Sequence, residues 1–213
     1  MSTRFARSCR IGLLVGAVSM LGLNAAHAQG EAVPAGSTSD RLGLRVEGGV
    51  ALPLTPSEFP EGWSLGFGAA GGLDYDWKPG LQLTTDLSYY RFANELSGQS
   101  SGGSNLSGNS IWTLSFLGGV RMQSSDDSDA VAPFIHGSMG LAIASITAIQ
   151  FSGSSTGSIP SETEVAFTLE LNGGATYRPA GSNIGYIFDV GWQPIFVSGE
   201  MLSYLPIRFG IVF

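Results

Sequence analysis

Three groups of side chains in this 213-residue chain could do chemistry. His136 and Ser138 form an H-x-S pair, a base two positions from a hydroxyl. A serine nucleophile needs that base within hydrogen-bond reach and an acid to orient it. The next acid along the chain is Glu162, beyond a Ser/Gly-rich stretch, so the pair reads as an interior histidine satisfied by its neighbours. Asp126, Asp127 and Asp129 form an acidic cluster without the glycine and closing glutamate of a calcium loop, and read as a solvated turn. No phosphate-binding loop or dinucleotide fingerprint is present in the sequence. The expectation is a protein that is not an enzyme, with no catalytic residue, no metal ligand and no cofactor.

The third group is larger. Arg45, Glu47, Asp74, Asp76, Asp86, Arg121, Glu170, Arg178, Asp189 and Arg208 all fall on the small or polar side of alternating stretches. Inside a closed sheet they would either line an ion path or pack as a network that fills the interior. A barrel of eight strands is just wide enough to be filled by side chains, which favours the network. Arg208 is expected to pair with Glu47, Asp189 or both, because an unpaired buried guanidinium carries a heavy desolvation cost.

The elements that must position these groups are strands. Side chains alternate across a strand, so one face can be apolar and the other small or charged. The clearest case is the final stretch LPIRFGIVF, where Leu205, Ile207, Phe209, Ile211 and Phe213 alternate with Pro206, Arg208, Gly210 and Val212. Similar alternation predicts strands over Leu42 to Leu52, Trp63 to Trp77, Leu81 to Phe92, Ser110 to Gln123, Val131 to about Phe151, Glu164 to Arg178 and Ile184 to Gln193. With the terminal strand that makes eight. Lys78-Pro79-Gly80, Ser124 to Ala130 and Pro179 to Asn183 read as turns. Thr55 to Gly62, Ala93 to Asn109, Ser152 to Thr163 and Pro194 to Ser203 read as loops, the second and third being mobile Ser/Gly-rich segments. The predicted fold is all-β: an eight-stranded antiparallel up-and-down transmembrane β-barrel over residues 41–213. Outer-membrane barrels have an even strand count, with short turns at the periplasmic end and longer loops outside.

The amino terminus says how such a barrel would reach a membrane. Arg4, Arg7 and Arg10 precede an apolar run from Ile11 to Leu23, and Ala26-His27-Ala28 supplies small residues for cleavage. Residues 1–28 therefore read as a secretory signal peptide, since the run is too short to span a bilayer as a helix. Cys9 precedes the run, which argues against lipidation, and its removal leaves a chain with no cysteine. Residues 29–40 read as a flexible leader. The signal takes three arginines with it, so the mature chain is more acidic than the formal −7 of the whole, and nucleic acid is not an expected partner. No later apolar run reaches 18 residues, so a membrane-spanning form must be a closed barrel.

A soluble exported barrel would turn its apolar face inward. The Gly- and Ala-rich polar face suits a crowded interior better than a solvated exterior. Aromatic residues also cluster near the ends of the apolar face. Trp63, Tyr89, Trp112 and Trp192 are expected toward the loops, and Tyr75, Trp77, Tyr177, Tyr186 and Phe213 toward the turns, as two interfacial girdles.

On these residues the mature chain resembles the small eight-stranded outer-membrane barrels, namely the opacity-protein family and the transmembrane domain of outer membrane protein A. The segment PFIHGSMGL, Pro133 to Leu141, resembles the Pro-aromatic, glycine-alternating strand of opacity-type proteins. The resemblance implies a location in the outer membrane of a Gram-negative bacterium with both termini periplasmic. It implies outer-membrane lipid and lipopolysaccharide as partners, and the barrel-assembly machinery as the reader of Phe209, Ile211 and Phe213. The expected role is structural and surface-interacting: envelope integrity, with loops for contact or adhesion. One alternative is a narrow channel or passage for small hydrophobic molecules, similar to outer membrane protein W. The other is a lipid-modifying enzyme, since the H-x-S pair resembles that of the barrel lipid A deacylases.

Overall fold

The computed structural model describes residues 41–56, 63–93, 100–101, 104–107, 110–124, 131–147, 149–152, 157–159 and 161–213. The expected signal peptide and leader, and Asp126, Asp127 and Asp129, lie outside the described residues.

Eight long strands close into one barrel: β1 (Leu42–Thr55), β2 (Gly66–Lys78), β3 (Leu81–Ala93), β6 (Ser110–Gln123), β7 (Val131–Ile146), β10 (Glu162–Tyr177), β11 (Gly185–Val197) and β12 (Glu200–Val212). Their order around the barrel is β1-β12-β11-β10-β7-β6-β3-β2, and each neighbouring pair is antiparallel. Each barrel strand thus pairs with the previous and the next barrel strand in sequence, the up-and-down arrangement. Closure joins β1 to β12 with Arg45 opposite Val212 and Leu52 opposite Leu205. The Phe213 amide donates to the Leu44 carbonyl at 2.9 Å, carrying the seam to the last residue. Among the described residues no helix is long and apolar enough to cross a membrane.

Alternation sets the two faces. Outward positions carry Phe67, Phe116, Ile135 and Val165, each at least 63% exposed, while the inward positions between such residues are buried. A belt of bare apolar side chains around the whole wall is stable against lipid and untenable against water. Small inward residues let the strands approach. A Cβ on Gly140 would fall against the Phe116 carbonyl, so only glycine fits there.

Several boundaries differ from the sequence expectation. β7 leaves the barrel after Ile146, and Ile149–Ser152 forms a separate strand, β8. The expected loop from Pro194 to Ser203 is instead hairpin: β11 runs on to Val197, β12 starts at Glu200, and Val197 pairs with Glu200. The turn between them is tight because Gly199 takes φ 91°, a conformation that costs glycine little. Parts of the two Ser/Gly-rich loops are also strands, namely β4 (Ser100–Ser101), β5 (Ser104–Ser107) and β9 (Gly157–Ile159). With β8 they form a second sheet in the order β4-β5-β8-β9. Backbone pairing supplies order that the side-chain pattern of β4, β5 and β9 did not advertise.

Candidate functional site

The lumen is the candidate site, and all eight barrel strands build it. Near the turn end its centre is a buried ionic network. Arg45 on β1 reaches Glu47 Oε1 at 3.1 Å, Asp74 Oδ1 at 3.3 Å, and Asp86. Arg121 on β6 meets Asp74 Oδ2 at 2.8 Å and lies over the Phe134 ring, 4.6 Å from its centroid. Arg208 on β12 grips Asp189 with two nitrogens, at 2.9 and 3.3 Å. It also contacts Glu170 at 2.7 Å and Glu47 Oε2 at 3.2 Å. Glu47 therefore joins the two halves of the network. None of these eight side chains is more than 4% exposed. Paired guanidinium and carboxylate groups tolerate such burial where single ones would not.

Position on the strands explains the network. Arg208 and Asp189 sit directly opposite each other on β12 and β11. Glu47 faces Gly210 across the seam, two residues from Arg208, and a Cβ on Gly210 would collide with Glu47. Asp76 and Arg178, expected inside by alternation, are exposed at the turn end. Asp76 accepts a hydrogen bond from Gln82 there, and Arg178 lies just past the end of β10. Alternation has no hold on Arg178, because its strand has run out there, while Asp76 is still paired with Gln82 in the last turn-end residues of β2.

His136 belongs to the same layer. Its Nε2 is 2.8 Å from Thr84 Oγ1 and 3.5 Å from Asp86 Oδ2, and its Nδ1 is 3.3 Å from Asn172 Nδ2. Ser138 Oγ has no hydrogen-bond partner among the described residues. The H-x-S pair is therefore not assembled as nucleophile and base. Among the described residues no group of three or more His, Cys, Asp or Glu side chains could hold a metal ion.

Toward the loop end the lumen changes character. Gln193 Nε2 donates to Ser115 Oγ at 2.8 Å, linking β11 to β6. Beyond it Tyr90, Phe92, Ile111, Ile195, Leu202 and Tyr204 pack as an apolar plug. The ring centroids of Tyr90 and Phe92 each lie 5.3 Å from that of Tyr204. Gly66 gives the Phe92 ring its room, because a Cβ there would strike it. The sequence reading missed this plug. Its signal was the run Tyr89-Tyr90-Arg91-Phe92, which puts bulk on both faces of β3.

Trp63, expected in the outer girdle, packs instead against the plug. It precedes the start of β2 at Gly66, so the outward phase of that strand does not reach it. Trp192 faces outward but sits near the middle of β11, since that strand continues to Val197. Trp77 and Tyr177 are exposed at the turn end and Tyr75 is half-buried there. Tyr89 and Trp112 lie toward the loop end, 6.3 Å apart between centroids. Tyr186 stacks on Phe209 across β11 and β12, and Phe209, Ile211 and Phe213 all point outward.

A barrel of eight antiparallel strands with a filled lumen and an apolar belt has counterparts among solved structures. Neisserial surface protein A matches 80% of this chain and 95% of its own at 13% identity, with a TM-score of 0.53. The fold is that of a small outer-membrane β-barrel. A major outer membrane protein from Thermus thermophilus matches 81% of this chain and 98% of its own at 14% identity, with a TM-score of 0.50. No protein-family model and no curated protein sequence matches the chain. At this identity the likeness is one of fold.

Proposed function

We propose that this chain is a sealed, non-enzymatic outer-membrane protein with a structural and surface-interaction role. It sits in the outer membrane of a Gram-negative bacterium with both termini periplasmic. The barrel anchors the loop end at the cell surface and contributes to envelope integrity, while the loops make the external contacts. The observation that carries this reading is the double closure of the lumen, by arginine–carboxylate pairs in one half and by the Tyr90–Phe92–Tyr204 plug in the other. A passage for solutes needs a continuous opening, and a barrel this narrow has room only for its own side chains. Outer-membrane lipid and lipopolysaccharide cover the belt, and the assembly machinery reads the outward Phe209, Ile211 and Phe213.

Topology is tested by single cysteines. Glu200→Cys at the loop end should react with a membrane-impermeant maleimide on intact cells. Ala180→Cys at the turn end should react only after the outer membrane is permeabilised, and the opposite pattern would invert the orientation. Both positions are exposed. For the role itself, a strain lacking the protein should become more permeable to detergent. A version with the segments around β4, β5, β8 and β9 deleted should restore the barrier but lose surface contacts. Restoration of neither would remove the structural half of the proposal.

A further inference from the structure

Toward the loop end, the outward positions of the eight barrel strands carry one charged side chain among the described residues, Arg91 on β3; Lys78, exposed beside Trp77, lies at the turn end. Arg91 is exposed and has no carboxylate within ion-pair distance among the described residues. The register places it in a defined row. Arg91 lies opposite Phe67 on one side and Trp112 on the other. Trp112 lies opposite Ser145, and Ser145 opposite Thr163. The hydroxyls of Ser145 and Thr163 are 2.8 Å apart. The next outward row toward the turn end reads Ala69, Tyr89, Leu114, Ile143 and Val165 by the same pairings. On β3, β7 and β10 the outer wall thus passes from apolar to polar over two residues, roughly 7 Å along the strand, while β6 places Trp112 at the same row.

A guanidinium on the lipid face is costly at the bilayer midplane and nearly free at the headgroup level. Its place in this row, with an indole directly opposite, sets that level at the loop end. A planar fork of donors also fits phosphate better than any other lipid group. The rim beyond it is acidic, with Glu162 and Glu200 exposed, so an anionic headgroup is repelled elsewhere at this end. We propose that Arg91, supported by Trp112, binds the phosphate of a glycolipid of the outer leaflet. This deepens the proposed function and rests on its placement of the loop end at the cell surface.

The test uses the purified full barrel in neutral detergent, titrated with bisphosphorylated lipid A or with its dephosphorylated form. Wild type should prefer the phosphorylated lipid by about fivefold, the worth of one arginine near a charged lipid surface. Arg91→Gln should abolish that preference, Arg91→Lys should keep part of it, and Arg178→Gln, exposed at the other end, should keep all of it. Equal wild-type binding of both lipids overturns the proposal, as does a folded Arg91→Gln that retains the preference. Heat-modifiable migration reports folding. Should Arg91→Gln not fold, the wild-type comparison and Arg91→Lys decide the matter. Detergent has no sidedness, so failure here is distinguishable from failure of the cysteine-labelling test of orientation.

Discussion

Arg208 concentrates the electrostatics of the lumen in one side chain. Three carboxylates on three other strands pair with it, Asp189, Glu170 and Glu47, the last also held by Arg45. Removing one partner of a buried ion pair leaves the others charged and desolvated. Arg208→Ala should therefore lower unfolding stability by about 3–5 kcal/mol, read as a shift of the urea midpoint by tryptophan fluorescence in lipid. A loss within experimental error would mean that water already solvates these carboxylates. The tyrosines of the plug give a finer comparison. Tyr204 shares a 3.3 Å hydrogen bond with Thr113, whereas the Tyr90 hydroxyl has no hydrogen-bond partner among the described residues. Tyr204→Phe should cost about 1 kcal/mol, and Tyr90→Phe should be close to neutral in the same assay. Equal losses would show that the Tyr90 hydroxyl is held by ordered water.

At the scale of elements, strand contact is governed by where a Cβ can fit. Inward Gly140 has the Phe116 backbone against it, while outward Gly118 has open space. Gly140→Val should block assembly of the β6–β7 pair and abolish heat-modifiable migration, whereas Gly118→Ala should fold as wild type. A folded Gly140→Val would show that these strands can separate without loss of the barrel. The strands themselves were legible because β-pairing beside lipid imposes strict alternation, and β6 falls at the residues that alternation predicts, Ser110 to Gln123. The β11–β12 hairpin was less legible. Pro194 looks like a turn residue, yet it pairs with Ser203 inside the sheet, and the true turn is Ser198-Gly199. β8 was legible as the end of the strand expected to reach about Phe151, whereas β4, β5 and β9 lie in segments expected to be loops and are held by backbone pairing. Within the site, the charged residues stood out against their small neighbours. Trp63 did not, because its contact with the plug depends on a chain path outside any strand.

For the whole molecule, the proposed seal rests on two halves of the lumen that would exclude ions for different reasons. The network end is polar, but its guanidinium and carboxylate groups are ion-paired with one another. The plug end is apolar, so an ion there would shed its hydration without replacement. On the proposed function each half alone would be a barrier, and this independence would separate a sealed anchor from a gated channel. Arg208→Ala should therefore weaken the barrel without opening it, since the plug remains. The most direct test is the steady conductance of the purified, folded wild-type barrel in a planar lipid bilayer, with Arg208→Ala alongside. Little or no steady conductance is expected for wild type and no stable pore for Arg208→Ala. A large, stable conductance from the wild-type protein would contradict the sealed lumen and turn the reading to a channel.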